Sequence, residues 1–328
     1  LAVQDFDSML TGDASLKKRP MDRIVKPLMS CGAKIEANEH KAPLFIYGST
    51  SLTPIEYYQD VASAQVKSCL ILSALHISGQ STFHEEIETR DHTENLLEHL
   101  SYKINRERKF LSLKGKQKLI AKDIFIGSDI SSAAFFIVAS LIVDGSCIEM
   151  RSGNINKFRT GIITVLKEMG ADIEISDIKK VSNELLGNIK VRYSKLKCAD
   201  IKGEIIPSLI DELPILFIAC ASASGTSKIS GIEELRHKES DRIMAMENGL
   251  RAIGINVHSS KDSIEITGGE INGGKVNSYS DHRIAMSFAI AGLISQNSLT
   301  IMDTQNISTS FPTFVSILRE LGVEVFEV

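Results

Sequence analysis

The chain has 328 residues, of which 43% are hydrophobic and 24% charged, and its formal net charge is −4 at pH 7. This composition is typical of a globular protein long enough for two domains, and it provides no basic field for nucleic acid or a membrane surface. The longest apolar run, residues 133–143, is too short to span a bilayer. The first ten residues lack the basic start and apolar block of a signal peptide. Five widely spaced cysteines without a C-x-x-C pair predict reduced core thiols in a cytosolic protein.

One pattern occurs five times along the chain: an amphipathic helix that ends in L-x-x-x-G-x-x-I/V, followed by a short strand. The turn residues lie 69, 69, 84 and 68 residues apart, at Gly32, Ser101, Gly170, Gly254 and Gly322. Glycine at this position supplies the left-handed cap that turns a helix into a strand, and Ser101 is the one departure. A fixed period of this size predicts repeated structural units.

A second helix, rich in small and apolar residues, is predicted between these caps. It ends at Gly79, Gly145, Gly225 and Asn297, and each end is followed by a β-prone run, at 81–83, 146–150, 226–229 and 298–302. Each unit is then a buried helix, a strand, an amphipathic helix and two strands, which predicts an α/β (α+β) protein. Such helices suit close packing against one another and against a sheet.

The first predicted unit is incomplete, because only residues 1–4 stand where its buried helix belongs. We therefore expect N-terminal sequence to be missing from this chain. A predicted boundary near Gly127 leaves residues 1–127 as an incomplete domain of about one and a half units, and residues 128–328 as a complete domain of three units.

Cations precede four of the five amphipathic helices. The starts are Lys17-Lys18-Arg19, Arg90, Arg159 and Lys238 with Arg242, whereas hydroxyl groups open the fifth at Ser308-Thr309-Ser310. Cations at a helix start oppose the helix dipole, but arginine pairs well with phosphate and carboxylate groups. If the starts converge, they form a pocket for a small polyanion; scattered surface charge is the alternative interpretation.

Two clusters of charged residues have both a structural and a chemical interpretation. At helical spacing Lys238, Glu239 and Arg242 share one face, where they form either an exposed charge lattice or a site that binds an anion and moves a proton. Asp211 precedes a helix with a proline near its start, so it is either the N-cap of that helix or a residue that takes part in the chemistry. Its neighbour Glu212 is expected to be a solvated acid in the first helical turn. Asp281 has the same cap interpretation, which leaves His282 and Arg283 as an unusual polar pair on an apolar helix.

Seven segments, in order and at compatible spacing, closely resemble the 5-enolpyruvylshikimate-3-phosphate (EPSP) synthase family. They are GDASLKKRPM (12–21), ASAQVKS (62–68), TRDHTENLL (89–97), IDELPIL (210–216), EELRHKESDR (233–242), SDHRIAMSF (280–288) and TSFP (309–312). The type most resembled is the bacterial class II form, which has G-D-x-S-L-x-x-R-P-M and S-A-Q. The resemblance implies a two-domain enolpyruvyl transferase fold, an inverse α/β barrel of βαβαββ units with three per complete domain. It also implies that roughly the first hundred residues of the family's chain are absent here.

The implied reaction transfers the enolpyruvyl group of phosphoenolpyruvate to the 5-hydroxyl of shikimate 3-phosphate and releases phosphate. It belongs to the shikimate pathway towards chorismate and the aromatic amino acids, and the resemblance implies no cofactor and no metal. The implied partners are these two small molecules, with no nucleic acid and no membrane, and the chain is expected to be a cytoplasmic monomer.

The resemblance also assigns residues. It implies that phosphoenolpyruvate is held by Arg19, Arg242 and Arg283. It implies that shikimate 3-phosphate is contacted by Ser63, Ala64, Gln65, Arg90, Asp211 and Lys238. By the same resemblance Asp211 accepts the 5-hydroxyl proton, Glu239 handles the proton at the methylene carbon, and His282 hydrogen-bonds nearby. Two positions depart from many members of the family: Thr309 replaces a lysine, and Glu234 replaces an asparagine.

Three alternatives remain at this stage. UDP-N-acetylglucosamine enolpyruvyl transferase shares the fold and reaction type, but it typically has a cysteine on a mobile loop, and no cysteine here lies in such a loop. A non-catalytic remnant would bind shikimate 3-phosphate without turnover. A metal site at His84, Glu85, Glu86 and His92 is the third, although this spacing fits no standard ligand set and is more typical of solvated charges.

Overall fold

The computed structural model describes residues 1–326. The chain divides into two compact units, one formed by Leu1–Ile126 with Lys180–Glu184 and the other by Gly127–Lys179 with Leu185–Val328, whose last two residues lie outside the described part. Within residues 1–326 no helix is long and apolar enough to cross a membrane.

The first unit contains two sheets, with strand orders β1-β3-β2 and β4-β5-β7-β6. Its helix α2 packs on α1, and Leu70, Ile71 and Phe83 are fully buried in its core. A short 3-10 helix, Leu16–Lys18, precedes α1. The elements are β1 (Ser8–Leu10), α1 (Asp22–Ser30), β2 (Lys34–Asn38), β3 (Lys41–Tyr47), β4 (Glu56–Tyr58), α2 (Ala64–Ala74), β5 (Gln80–His84), α3 (His92–His99), β6 (Ile104–Glu107) and β7 (Phe110–Lys114).

The second unit contains three sheets, with strand orders β8-β10-β9, β11-β12-β14-β13 and β15-β16. Two 3-10 helices, Gly203–Ser208 and Glu233–His237, lie between its regular elements. Those elements are α4 (Ile130–Ile142), β8 (Cys147–Asn154), α5 (Gly161–Glu168), β9 (Asp172–Val181), β10 (Glu184–Arg192), β11 (Asp200–Ile201), α6 (Leu213–Ser222), β12 (Thr226–Ser230), α7 (Arg242–Ala252), β13 (Asn256–Ser259), β14 (Ser263–Thr267), β15 (Gly274–Asn277), α8 (His282–Gly292), β16 (Leu299–Met302), α9 (Asn306–Ser310) and α10 (Phe314–Glu320).

Three inner helices, α4, α6 and α8, pack against one another in the second unit. Nearly every residue of α4 and α6 is buried, as expected for helices that are apolar on all sides. Polar side chains lie at the N-terminal ends of two of these helices, with Ser131 and Ser132 in α4 and His282 and Arg283 in α8. The inner helices thus form both the core and the support of those ends.

The predicted repeat is confirmed by backbone geometry. All five turn residues have positive φ angles, from 67° at Ser101 to 98° at Gly32, so the serine adopts the left-handed conformation that glycine adopts in the other copies. The sheets β4-β5-β7-β6 and β11-β12-β14-β13 also match: the first pair in each is parallel and the other two pairs are antiparallel.

Two sequence predictions about the fold are wrong. Lys238 does not lie on a helix with Arg242, because α7 begins at Arg242 and Lys238 has extended backbone geometry after the preceding 3-10 helix. The side chain of Asp241 caps α7 by accepting a hydrogen bond from Met244 N at 3.0 Å, and this cap fixes the helix start. The thiols are not all in the core either, since Cys147 and Cys198 are exposed.

Candidate active site

The N-terminal ends of α4, α6 and α8 bring polar side chains together in the second unit. Ser131, at the start of α4, donates a short hydrogen bond to the Glu212 carboxylate at the start of α6. Arg283, at the start of α8, donates to the backbone carbonyl of Asp211 at 2.8 Å. Because the helices themselves are packed and apolar, these contacts place the chemical groups on a rigid base.

Arg242 is a buried cation with a fixed orientation. Its side chain is 1% exposed, its Nε lies 2.8 Å from Asp281 Oδ2, and its Nη2 lies 2.7 Å from Glu239 Oε2. Asp281 also caps α8 through Arg283 N at 2.9 Å, as predicted, and accepts a hydrogen bond from Ser240. Burial opposes the charge on Arg242, but the two carboxylates outweigh it and raise the pKa of the guanidinium. Arg242 therefore remains charged at any physiological pH.

Asp211 is a partly exposed carboxylate among cations. Lys238 Nζ lies 3.5 Å from its Oδ1, and Arg159 Nη1 lies 3.8 Å from its Oδ2. Its side chain is 21% exposed, so solvent or a ligand can reach it. The structure places Glu212 rather than Asp211 at the N-cap position of α6, and the N-cap interpretation of Asp211 is wrong. Its carboxylate therefore faces Lys238 and Arg159 instead of capping a helix.

Glu212 was expected to be solvated, and the structure contradicts this. Its side chain is 2% exposed, with Oε1 lying 3.7 Å from Arg283 Nη1 and 4.0 Å from Arg159 Nη2. Burial raises the pKa of Glu212, while Arg159, Arg283 and the Ser131 hydroxyl oppose that rise. Glu212 is thus part of the cluster, together with Arg159, which the sequence predicted only as one of the helix-start cations. Glu212 had no comparable signal in the sequence.

His282 is the first residue of α8 and lies among the same charges. Burial lowers its pKa, with Arg283 and Arg242 acting in the same direction and Asp281 and Glu239 opposing them. The imidazole is consequently neutral at pH 7 and can donate one hydrogen bond and accept another.

The predicted residues of the first unit also lie at helix starts. Ser63 caps α2 by accepting a hydrogen bond from Val66 N at 3.4 Å, followed by buried Ala64 and exposed Gln65. Arg19 directly follows the 3-10 helix, and Arg90 lies two residues before α3. The prediction that these two arginines share a cleft with Lys238, Arg242 and Arg283 stays a prediction.

A buried lysine supports the segment that carries Arg90. Lys67 Nζ lies 2.8 Å from Glu94 Oε1 and 3.1 Å from Glu85 Oε2, and it donates to the carbonyl of Thr89 at 3.3 Å. The Thr89 hydroxyl in turn donates to Glu85 at 2.6 Å. Thr89, the residue next to Arg90, is therefore bound through its carbonyl to Lys67 of α2 and through its hydroxyl to Glu85, which pairs with Lys67.

The four residues considered as metal ligands make other contacts or show no clustering. His84 stacks on Tyr58 with ring centroids 4.5 Å apart, and His92 Nδ1 lies 2.8 Å from Glu184 Oε1. Among residues 1–326, no group of three or more His, Cys, Asp or Glu side chains is arranged to hold a metal ion.

Comparison with known proteins relates this arrangement to one family. The sequence model described as EPSP synthase (3-phosphoshikimate 1-carboxyvinyltransferase) matches residues 1–318. A 3-phosphoshikimate 1-carboxyvinyltransferase of Coxiella burnetii (strain CbuK_Q154) is 46% identical over 325 residues, which are 99% of this chain and 74% of that protein. The Legionella pneumophila (strain Corby) protein of the same name is 46% identical over 327 residues, covering 100% and 76%.

Solved structures give the same result. An EPSP synthase from Acinetobacter baumannii matches with a TM-score of 0.86 and 42% identity, covering 98% of this chain and 74% of that one. A second structure of EPSP synthase from the same organism matches with a TM-score of 0.87 and 40% identity. The repeated α/β architecture is therefore that of the enolpyruvyl transferase fold. Within that class, the chain belongs to the EPSP synthase (3-phosphoshikimate 1-carboxyvinyltransferase) family.

Proposed function

We propose that this protein transfers the enolpyruvyl group of phosphoenolpyruvate to the 5-hydroxyl of shikimate 3-phosphate and releases inorganic phosphate. The observation that carries the proposal is the cluster in which the partly exposed Asp211 carboxylate faces Lys238 and Arg159, with Arg283 bound to its carbonyl. Both substrates are anions, and fixed cations stabilise phosphate and carboxylate groups and the charge that develops on them. Family membership supplies the reaction class.

In the addition step, Asp211 accepts the proton of the 5-hydroxyl of shikimate 3-phosphate. The oxygen of that hydroxyl at the same time bonds to the central carbon of phosphoenolpyruvate. Glu239 delivers a proton to the methylene carbon, and its place 2.7 Å from Arg242 supports a carboxyl group held in one orientation. In the elimination step, the Glu239 carboxylate takes a proton back from that carbon as phosphate leaves. Each proton transfer of this kind contributes about 10²–10⁴-fold in rate. Neutral His282 hydrogen-bonds the reacting groups.

Binding roles follow from the charge and position of each residue. We assign Arg242, Arg283 and Arg19 to phosphoenolpyruvate, and Lys238 to shikimate 3-phosphate. The first unit contributes the remaining contacts to shikimate 3-phosphate, which are Ser63, Ala64, Gln65 and Arg90. The anchoring of Thr89 by buried Lys67 supports a fixed position for Arg90.

Three finer statements belong to the same proposal. The motifs around Ser63 and Arg19 support the class II type. Residues 128–328 are proposed to form a complete domain of three repeats, with residues 1–127 as the incomplete one. The protein is proposed to act as a cytoplasmic monomer, which light scattering and cell fractionation test.

A phosphate-release assay on the purified chain tests the function. We expect release only when both substrates are present, with UDP-N-acetylglucosamine giving none in place of shikimate 3-phosphate. Calorimetry with shikimate 3-phosphate runs in parallel. Binding without release would support the non-catalytic interpretation, and neither binding nor release would reject the proposal.

A further inference from the structure

Residues 85–91, the Arg90 loop, join β5 to α3 and contain neither helix nor strand. The second half of this loop is held at Thr89, which is 5% exposed. The Thr89 N–H donates to Glu85 Oε1 at 3.2 Å, and the Thr89 carbonyl accepts from buried Lys67 at 3.3 Å. Because a loop has no ladder of its own, its buried backbone groups need side-chain partners of this kind.

Gln59 holds the middle of the Arg90 loop. Its side-chain oxygen accepts a hydrogen bond from the Ile87 N–H at 2.9 Å, and its Nε2 donates to the Ile87 carbonyl at 3.1 Å. A glutamine amide carries both an acceptor and donors, so one side chain satisfies both backbone groups of Ile87. The Gln59 N–H also donates to the His84 carbonyl at 2.9 Å, next to the parallel pairing of β4 with β5. The Gln59 side chain therefore continues that pairing into the loop.

The residue on the other side of Arg90 is held as well. Asp91 Oδ2 lies 2.5 Å from Arg106 Nη2 of β6, and Asp91 Oδ1 accepts from Asn95 of α3 at 3.2 Å. Arg90 lies between the held residues and is itself partly exposed. The loop is thus attached to α2 through Lys67, to β6 and α3 through Asp91, and to the end of β4 through Gln59.

The proposed function assigns Arg90 to shikimate 3-phosphate but gives Gln59 no role, and the present inference rests on that assignment. An arginine on a fixed backbone binds an anion more tightly than one on a mobile loop, because binding then has less of the protein to order. We propose that Gln59 is a positioning residue, which holds the Arg90 loop so that Arg90 is in place before shikimate 3-phosphate binds.

The test is Gln59→Met, which keeps the length of the side chain and removes both hydrogen bonds to Ile87. Amide hydrogen exchange is followed by NMR on the full chain. Exchange at Ile87 speeds up with the loss of its partner in any case, so the decisive amide is that of Thr89, which donates to Glu85. We expect the Thr89 amide to exchange about tenfold faster, because the loop opens as a unit. An unchanged rate at Thr89 would overturn the proposal.

Calorimetry with shikimate 3-phosphate measures the consequence for binding. We expect the Kd of Gln59→Met to rise about tenfold, because ordering the loop then opposes binding. In an active chain the KM for shikimate 3-phosphate rises likewise, while kcat and the KM for phosphoenolpyruvate stay within about twofold of wild type. An unchanged Kd, or a fall in kcat without a change in that KM, would contradict the positioning role.

A matched control is available in the same unit. Gln117 makes the same reciprocal pair with Lys103, whose N–H donates to the Gln117 oxygen at 3.1 Å and whose carbonyl accepts from Nε2 at 3.1 Å. Both residues lie outside the Arg90 loop. For Gln117→Met we expect unchanged exchange at Thr89 and an unchanged Kd. Equal effects in the two variants would overturn the proposal, because they would show a general loosening of the unit.

A double-mutant cycle shows whether Gln59 acts through Arg90. Arg90→Met is expected to weaken shikimate 3-phosphate binding, and the addition of Gln59→Met should then cause no further loss. Additive losses would overturn the proposal, since Gln59 would affect binding by a route that does not involve Arg90.

A second variant covers loss of folding in Gln59→Met. Gln59→Asn keeps an amide, but its side chain is one methylene shorter and cannot reach both backbone groups of Ile87. We expect smaller changes in the same direction at Thr89 and in the Kd. A thermal melt identifies the folded variants, and wild-type exchange and affinity in Gln59→Asn, where Gln59→Met does not fold, would refute the proposal.

Exchange and binding also separate this inference from the proposed function. A wild-type chain that does not bind shikimate 3-phosphate would reject the function. The exchange rate at Thr89 would then decide by itself whether Gln59 holds the Arg90 loop. A wild-type chain that binds, together with a Gln59→Met variant that binds equally well, would leave the function standing and overturn only the inference.

Discussion

Two clusters of buried cations and carboxylates differ in their access to solvent. In the first unit, Lys67, Glu85 and Glu94 form a cluster in which the side chains are between 2% and 13% exposed. In the second unit, Arg242 and Asp281 are equally buried, but their partner Glu239 is 33% exposed. A buried ion pair alone therefore does not mark a site. A buried pair that fixes an accessible carboxylate has the arrangement a reaction needs.

The hydrogen bonds of the two clusters differ in the same sense. Lys67 binds a backbone carbonyl, and Glu94 Oε2 is buried with no hydrogen-bond partner among the described residues. Asp281, in contrast, accepts from Arg242, Ser240 and the backbone of Arg283. We expect the closed cluster to affect stability and the open cluster to affect turnover.

The largest expected effect tests the closed cluster. Lys67→Met leaves Glu85 and Glu94 buried without their cation, and we expect the free energy of unfolding at pH 7 to fall by about 3–5 kcal/mol. Burial raises the pKa of Glu94, so its folded state binds a proton more readily than its unfolded state. The stability that Glu94 contributes is then present at low pH and lost as pH rises. The loss of stability in Lys67→Met relative to wild type should therefore be smaller at pH 5 than at pH 7. Urea unfolding at both values measures it.

The double variant Lys67→Met with Glu94→Gln is the control for this prediction. It removes a charge along with its partner, so we expect it to be more stable than the single variant at pH 7. Equal stability of the two would mean that the loss comes from packing and not from an unpaired charge. The comparison of closed and open clusters would then have no electrostatic basis.

The second prediction tests the open cluster through Asp211. Asn keeps the size of the side chain but cannot accept the 5-hydroxyl proton, so Asp211→Asn is expected to lose at least ~10²-fold in turnover. Since Asp211 does not occupy the N-cap position of α6, the free energy of unfolding of Asp211→Asn should stay within about 0.5 kcal/mol of the wild-type value. Phosphate release, shikimate 3-phosphate calorimetry and a thermal melt give the three measurements. Exposed Asp144→Asn is the matched control, and near-normal turnover of Asp211→Asn would leave the mechanism without its base.

These clusters also separate what sequence could and could not predict. Repeats and turns were predictable because they depend on local signals, such as the left-handed turn at Gly170 and its copies. The environment of Glu212 was not, because its partners Ser131, Arg159 and Arg283 come from elements up to 152 residues apart and meet only when the inner helices pack. A solvated position was the natural expectation for a glutamate in a first helical turn, and tertiary packing overrides it.

The start of α7 shows a different kind of failure. Helical spacing of Lys238 and Arg242 favoured one continuous helix, whereas the chain follows the local capping signal of Asp241. An N-cap residue has non-helical backbone angles, so the residues before it cannot share the helix. That break allows Lys238 to reach Asp211 instead of lining up with Arg242. A stronger weight on the cap would have predicted it.

The smallest expected effect concerns Ser63 at the start of α2. It tests whether this helix start binds a ligand, as is proposed for the start of α8, or only caps the helix. Ser63 caps α2 with a hydrogen bond of 3.4 Å, so Ser63→Ala is expected to cost about 0.5–1 kcal/mol in a thermal melt. Asn is as good a cap as Ser, but its amide extends farther into the space where a ligand would contact the hydroxyl. Ser63→Asn should therefore melt like wild type while binding shikimate 3-phosphate about tenfold more weakly, which corresponds to the loss of roughly one hydrogen bond. Calorimetry and the melt are made on the same preparations of all three proteins. If Ser63→Asn binds as tightly as wild type, Ser63 is a cap alone and this helix start belongs with the closed cluster.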